Sequence, residues 1–233
     1  MSPLLEARGV TRTLPGPPPV TLVRDVDLAF TRGELVAVTG PSGSGKSSLL
    51  YLLGLLDRPS SGRVLVEGRD AAALDRDELA ALRLARFGFV FQFHFLLPEF
   101  TTLENVLIPM RRLKVRPAQE MAERARALLD GLGLGEAAAK YPEQLSGGMR
   151  QRAAIARALA NGPAVVLADE PTGNLDTRNA ATVFDIFERL ALAEGRTVIV
   201  VTHDRDLAAR TRRRIELVDG RVVADRAAEP VSA

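Results

Sequence analysis

Cysteine is absent from the 233 residues, which excludes disulfides, thiolate metal sites and a cysteine nucleophile and is compatible with a reducing compartment. Lysine is scarce: only Lys46, Lys114 and Lys140 occur, and every other one of the 31 basic residues is Arg. Histidine occurs only as His94 and His203. No uninterrupted apolar stretch approaches the roughly 20 residues that a membrane helix needs, so any role at a membrane must borrow its spans from another chain. The first ten residues, with Glu6 and Arg8, read as neither signal peptide nor anchor. An excess of one charge is also missing. The formal net charge is +2, which gives no electrostatic footprint for DNA or RNA, and no nucleic-acid partner is expected. Internal repeats and low-complexity tracts are lacking. What remains, 46% hydrophobic and 26% charged, is a globular composition that can bury a sizeable core in one or at most two lobes.

Short runs rich in Val, Ile and Leu recur, each followed by polar or Gly-containing punctuation and then by a longer stretch of helical periodicity. That alternation predicts an α/β protein with a partly parallel sheet. Residues 35–39, 165–168 and 198–201 read as buried strands and as the core of that sheet. Residues 14–20 hold Pro15, Pro17, Pro18 and Pro19 and must be an exposed loop between two early strands, because proline lacks the N–H donor. Residues 103–134 are dominated by Ala, Leu, Arg and Glu and predict an inserted helical subdomain, with breaks at Pro109, Pro117 and Gly131. The small, polar stretch 225–233 is expected to fray.

Gly40-Pro41-Ser42-Gly43-Ser44-Gly45-Lys46-Ser47 matches G-x-x-x-x-G-K-[ST], between a predicted strand and a helix running through Leu49, Leu50, Leu52 and Leu53. Glycines let successive N–H groups turn around phosphate oxygens, the helix start adds partial positive charge, and Lys46 reaches the terminal phosphates. Ser47 is expected to hold Mg²⁺, and residues Gly40 to Ser48 to form the ATP cradle. That a chain so strongly biased to Arg keeps Lys here fits a site needing a compact, flexible point charge rather than a planar fork. A second element, Val165-Val166-Leu167-Ala168-Asp169-Glu170, is a buried strand ending in two carboxylates. Alone it would be read as a strand end with two solvated acids. Paired with a phosphate loop, Asp169 is expected in the Mg²⁺ shell and Glu170 at the water that attacks the γ-phosphate.

Leu145-Ser146-Gly147-Gly148-Met149-Arg150-Gln151-Arg152 precedes the acidic strand and opens an Ala-rich helix. A hydroxyl that caps and glycines that permit close approach make this helix start a second anion site. Its wording resembles the signature L-S-G-G-x-x-Q-R of the ABC ATPases. Other elements of that family follow in order: Gln92 matches the Q-loop glutamine, Gly173-Asn174-Leu175-Asp176 the D-loop, and His203 the switch histidine, and the likeness extends from about residue 4 to 223. The resemblance implies a single ABC ATPase domain over 1–233. Residues 1–92 and 162–225 would form a P-loop NTPase core with an antiparallel β subdomain, and about 93–161 the helical signature subdomain. It also implies a head-to-tail homodimer formed on ATP binding, each ATP lying between the phosphate loop of one copy and Ser146, Gly147 and Gly148 of the other. In that scheme His203 contacts the γ-phosphate, Gln92 links Mg²⁺ occupancy to integral membrane transporter subunits, and Asp176 couples the two sites. The chain would sit peripherally on the cytoplasmic face of the inner membrane.

Two positions depart from the family pattern. Leu14 stands where an aromatic residue commonly stacks on adenine, which implies weak stacking and limited selectivity for ATP over GTP. Met149 stands where Gln or Glu is usual, and activity is expected to survive because the phosphate contacts come from Ser146, Gly147 and Gly148. The segment 91–106, after the Q-loop glutamine, is similar to that of lipoprotein-releasing ATPases and more loosely to macrolide-exporter and cell-division ATPases of the same branch. Family membership does not give the cargo, and lipoprotein release, efflux and cell-division regulation all stay open, with release favoured. Phe93, Phe95, Leu96 and Leu97 read equally as core packing or as a surface for the membrane partner. Non-transport ABC ATPases acting on DNA or ribosomes usually carry a long coiled coil or two cassettes, and neither occurs in this sequence.

Overall fold

A computed structural model of the chain describes residues 2–227. The strands are β1 (Leu5–Leu14), β2 (Val20–Phe30), β3 (Leu35–Thr39), β4 (Ser61–Val66), β5 (Arg69–Asp70), β6 (Phe87–Phe91), β7 (Val165–Asp169), β8 (Thr197–Val201), β9 (Arg213–Val218) and β10 (Arg221–Ala227). The α-helices are α1 (Lys46–Leu53), α2 (Arg76–Arg86), α3 (Thr102–Leu113), α4 (Ala118–Gly131), α5 (Gly147–Leu159), α6 (Thr177–Leu192) and α7 (Arg205–Ala209). They form two compact units, one from residues up to 80 and from 187 onward, the other from 81 to 186.

In the first unit, β1 and β2 pair antiparallel with Leu5 opposite Phe30 and Ala7 opposite Leu28. Burial alternates along the end of β2, with Val26, Leu28 and Phe30 in the core and Asp27 and Ala29 outside, the period-two pattern that pins a strand's register. The proline-rich residues 15–19 form the exposed loop joining the pair. Strands β4 and β5 extend this sheet in the order β2-β1-β4-β5. The same unit holds β3 hydrogen-bonded in parallel to β8 on one side and to β9 on the other. Every residue of β8 is buried, and so are the first four of β3, which explains their unbroken β-branched and aliphatic runs: strands covered on both faces have no polar face to show.

Residues 225–227 are not frayed but complete β10, antiparallel to β9. The reason is a distant cation. Arg213 donates to both carboxylate oxygens of Asp225 at 2.8 and 2.6 Å and to Glu34 at 2.9 Å, while its guanidinium lies 5.3 Å from the centre of the Phe30 ring. These contacts, that of Asp225 foremost, raise its pKa further above the usual arginine value. The rest of the stretch expected to fray, 228–233, lies outside the described residues.

In the second unit, β6 and β7 run parallel, Phe87 opposite Val165 and Phe91 opposite Asp169, alongside α3, α4 and α5. Pro117 caps α4 and Gly131 ends it, but Pro109 does not break α3: it sits inside the helix, which continues to Leu113 and its C-cap Lys114. Proline there forfeits one backbone bond. The helix survives because Thr101 and Glu104 close a capping box at its start and Val106, Leu107 and Met110 are buried along it.

Candidate functional site

In the first unit the C-terminal ends of β3 and β8 lie side by side, where open α/β sheets bind ligands. The chain leaves β3 into the loop Gly40–Gly45 and enters α1 at Lys46. Two glycines are sterically obligatory. A β-carbon at Gly40 would lie 2.0 Å from the Leu217 carbonyl oxygen and one at Gly45 2.1 Å from that of Leu22, and both residues have positive φ, 144° and 96°. Helix α1 has no side-chain cap and no acidic residue in its first turn, so the positive end of the helix faces an anion without a competing carboxylate there. Ser44 Oγ is buried with no hydrogen-bond partner among the described residues. The Lys46 ammonium donates to the carbonyls of Gly40 (2.9 Å) and Pro41 (2.8 Å), and its third proton remains for a phosphate oxygen. Ser47 and Ser48 occupy the same first turn. His203 follows β8 and lines a cleft of about 510 Å³ together with Gly40, Pro41 and Thr202. Gly40, Pro41 and His203 therefore line one cleft within the first unit.

The second unit assembles the other residues. Asp169 is the buried last residue of β7, and Glu170 follows at φ 46°, a left-handed conformation that costs a residue with a side chain about 1–3 kcal/mol. The turn behind it closes through Gly173 N–H to the Glu170 carbonyl (3.1 Å) and Leu175 N–H to that of Thr172 (3.0 Å). Gln92, next after β6, donates through Nε2 to Asn174 Oδ1 at 3.2 Å, and Asn174 Nδ2 donates to the Gln92 carbonyl at 3.3 Å. Ser146 caps α5, its hydroxyl accepting from Met149 N–H at 3.3 Å, so residue 149 contributes its backbone whatever its side chain. At Gly148 a β-carbon would come within 2.1 Å of Asn179 Oδ1. Asn179 in turn donates from its N–H (2.8 Å) and Nδ2 (2.7 Å) to the Asp176 carboxylate, and this holds the Asp176 pKa below the ordinary range, the backbone bond foremost. Gly148 and Asp176 thus both lie against Asn179, a residue that sequence reading missed. Asn174, inside the Gly173–Asp176 motif, carries no sequence signal of its bond to Gln92.

Ser47 in the first unit and, separately, Gln92 and Asp169 in the second each carry a side-chain oxygen, the donor type that a hard Mg²⁺ ion takes when phosphates and water complete its shell. Among the described residues no group of three or more His, Cys, Asp or Glu is placed to hold a metal ion.

Beyond Gln92, the open question of four apolar residues resolves unevenly. Leu96 is buried, whereas Phe93, Phe95 and Leu97 are 62%, 60% and 43% exposed. Their backbone is nonetheless held firmly. Arg157 on α5 donates to the carbonyls of Phe95 (2.5 Å) and His94 (2.7 Å). The buried Asn105 accepts from Leu97 N–H and donates to the carbonyls of Leu97, Phe100 and Thr101. Phe95 packs edge-on against Phe91 at 5.6 Å and tilted against Phe93 at 6.3 Å. His94 Nδ1 accepts from Leu96 N–H (3.2 Å), which needs the neutral ring, and burial, then Arg150 and Arg157, lower its pKa accordingly.

A family model described as ABC transporter matches residues 23–173. Over 225 residues the chain is 54% identical to the lipoprotein-releasing system ATP-binding protein LolD of Anaeromyxobacter dehalogenans, covering 96% of this chain and 94% of that protein. It is 53% identical to the macrolide export ATP-binding/permease protein MacB of Rhodopseudomonas palustris, over 97% of this chain but 34% of that longer one. A solved ATP-binding cassette, described as a dimeric post-hydrolysis state bound to ADP and Pi, superposes with a TM-score of 0.90 at 39% identity, over 97% of this chain and 99% of that one. Among the described residues no helix is long and apolar enough to cross a membrane.

Proposed function

Because the chain belongs to the ABC transporter family and hydrolyses ATP, we propose that it powers a separate membrane subunit that releases lipoproteins from the inner membrane. The observation that carries this reading is the exposed pair Phe93 and Phe95, presented on a backbone clamped by Arg157 and Asn105. An apolar surface on a rigid support suits a membrane subunit that must be pushed, since a slack loop would absorb the stroke. The relatives named for lipoprotein release support lipoprotein as the cargo. A second reading, export of macrolide-like molecules, is favoured by the near-equal identity to MacB, and cell-division regulation stays a third.

The chain works on the cytoplasmic face of the inner membrane as one ATPase domain, 1–92 and 162–225 forming the nucleotide core and about 93–161 the signature subdomain. Two copies close head to tail on ATP. Gly40, Pro41, Ser42, Gly43, Ser44, Gly45, Lys46, Ser47 and Ser48 of one copy face Ser146, Gly147 and Gly148 of the other. Ser47, Gln92 and Asp169 would hold Mg²⁺, which supplies neutralisation of the charge developing on the phosphates. Glu170 orients the attacking water, His203 contacts the γ-phosphate and Asp176 couples the two sites. Catalysis is then positioning and charge stabilisation.

The test is affinity purification of the full chain from its native membrane with identification of what accompanies it. A membrane subunit carrying bound lipoprotein supports the first reading, and one carrying an export substrate supports the second. Salt-resistant recovery with DNA or ribosomes would overturn both.

A further inference from the structure

Gln92 and Asn174 make a reciprocal pair, and its polarity follows from elementary hydrogen-bond chemistry. The Gln92 backbone carbonyl can only accept, so the end of Asn174 facing it must be the amino group Nδ2. The other end of Asn174 is then the oxygen Oδ1, and the end of the Gln92 side chain that meets it must be Nε2. By elimination the Gln92 carbonyl oxygen, Oε1, is the end left over, and no hydrogen bond to it occurs among the described residues. Gly173 completes the socket: a β-carbon there would come within 3.0 Å of Gln92 Nε2, closer than such contacts normally are.

We propose that Asn174, seated by Gly173, is a positioning residue that fixes the Gln92 amide so that its oxygen rather than its amino group is presented to Mg²⁺. The inference rests on reading Gln92 as a metal ligand. A free glutamine amide turns over readily, and only one of its two ends can bind a cation. Asn174 removes the wrong orientation before the ion arrives, which is preorganisation of a ligand through its neighbour. The socket also places this device between Glu170 and Asp176 in sequence, so a shift of that turn would release Gln92.

Two measurements on the full chain test it. In the ¹⁵N-labelled protein without nucleotide or metal, the Gln92 side-chain amide, assigned by its loss in Gln92→Ala, should give signals with slowed proton exchange. Asn174→Ala should move them to the position and exchange rate of a solvated glutamine. In steady-state ATPase assays titrated with Mg²⁺, Asn174→Ala and the similarly sized Asn174→Leu should raise the Mg²⁺ concentration for half-maximal rate about five-fold, the worth of one hydrogen bond, with kcat at saturating Mg²⁺ within about two-fold. In a Gln92→Glu background, where both ends are oxygen, Asn174→Ala should add no further rise. An unchanged Mg²⁺ requirement in both Asn174 variants, beside a raised one in Gln92→Ala, would overturn the positioning role alone. An unchanged requirement in Gln92→Ala would overturn the reading of Gln92 as ligand, and the role of Asn174 with it.

Discussion

Two irregular segments each follow the end of a parallel strand, yet they are built in opposite ways. Gly40–Gly45 after β3 is shaped by missing side chains: carbonyls of Leu22 and Leu217 occupy the space where β-carbons would stand. The stretch 92–101 after β6 is shaped by side chains sent from elsewhere, Arg157 from α5 and Asn105 from α3. The first leaves backbone N–H groups for an anion. The second has the carbonyls of His94, Phe95, Leu97, Phe100 and Thr101 held by side chains of the protein and leaves rings outside. On the proposed function the first would bind phosphate and needs N–H groups the protein leaves open, whereas the second would take up force from a membrane subunit and needs a backbone that is tied down.

On the proposed mechanism Glu170 orients the attacking water, so the largest effect is expected there. Glu170→Gln should lower turnover about 10³-fold while ATP binding persists and an ATP-bound dimer accumulates, as read by phosphate release and size-exclusion with Mg·ATP. Unchanged turnover would remove Glu170 from its role. Gly45→Ala should strike the first segment by driving a methyl group into the Leu22 carbonyl, with about 2–4 kcal/mol lost from stability and nucleotide binding abolished, measured by denaturant unfolding and binding of a fluorescent ATP analogue. If the alanine variant binds normally, the loop is more yielding than its geometry implies.

Arg157→Ala should strike the second segment instead. Removal of its bonds to two carbonyls is expected to cost about 2 kcal/mol of stability with nucleotide affinity unchanged, and a loss of both would erase the contrast between the segments. Phe93→Ser should leave stability within about 0.5 kcal/mol, because the ring is largely exposed, yet reduce capture of the membrane subunit about tenfold in a pull-down. Smallest of all, competition binding should show the wild type preferring ATP over GTP by less than about tenfold, and Leu14→Tyr should widen that gap a few-fold by adding a stacking ring. A strong preference for ATP in the wild type would show that Leu14 is not the determinant.

The elements that could be read from the amino acids are those whose physics is local. A strand buried on both faces, a glycine loop ahead of a helix and a serine three residues before a capped N–H each announce themselves within about ten residues. Pro109 does not break its helix, because its helix-breaking tendency is local while the burial of Val106, Leu107 and Met110 that outweighs it is not. Residues 225–227 look frayed in isolation and are held by Arg213, twelve positions before Asp225. Asn179 and Asn174 carried no signal, since an asparagine beside a turn is commonplace until its partner is known to be Gly148 or Gln92.

By itself, then, the amino-acid order determined the α/β class, the phosphate loop with Lys46, the acidic pair Asp169 and Glu170 and the signature serine and glycines, because each is a contiguous pattern acting through the nearby backbone. Only the tertiary structure decided which of Phe93, Phe95, Leu96 and Leu97 face outward, that Arg157 clamps them, and that Gln92 meets Asn174 across 82 positions of chain. Those outcomes depend on which surfaces remain after the core is filled and on hydrogen bonds between residues far apart in sequence, and no local pattern encodes either.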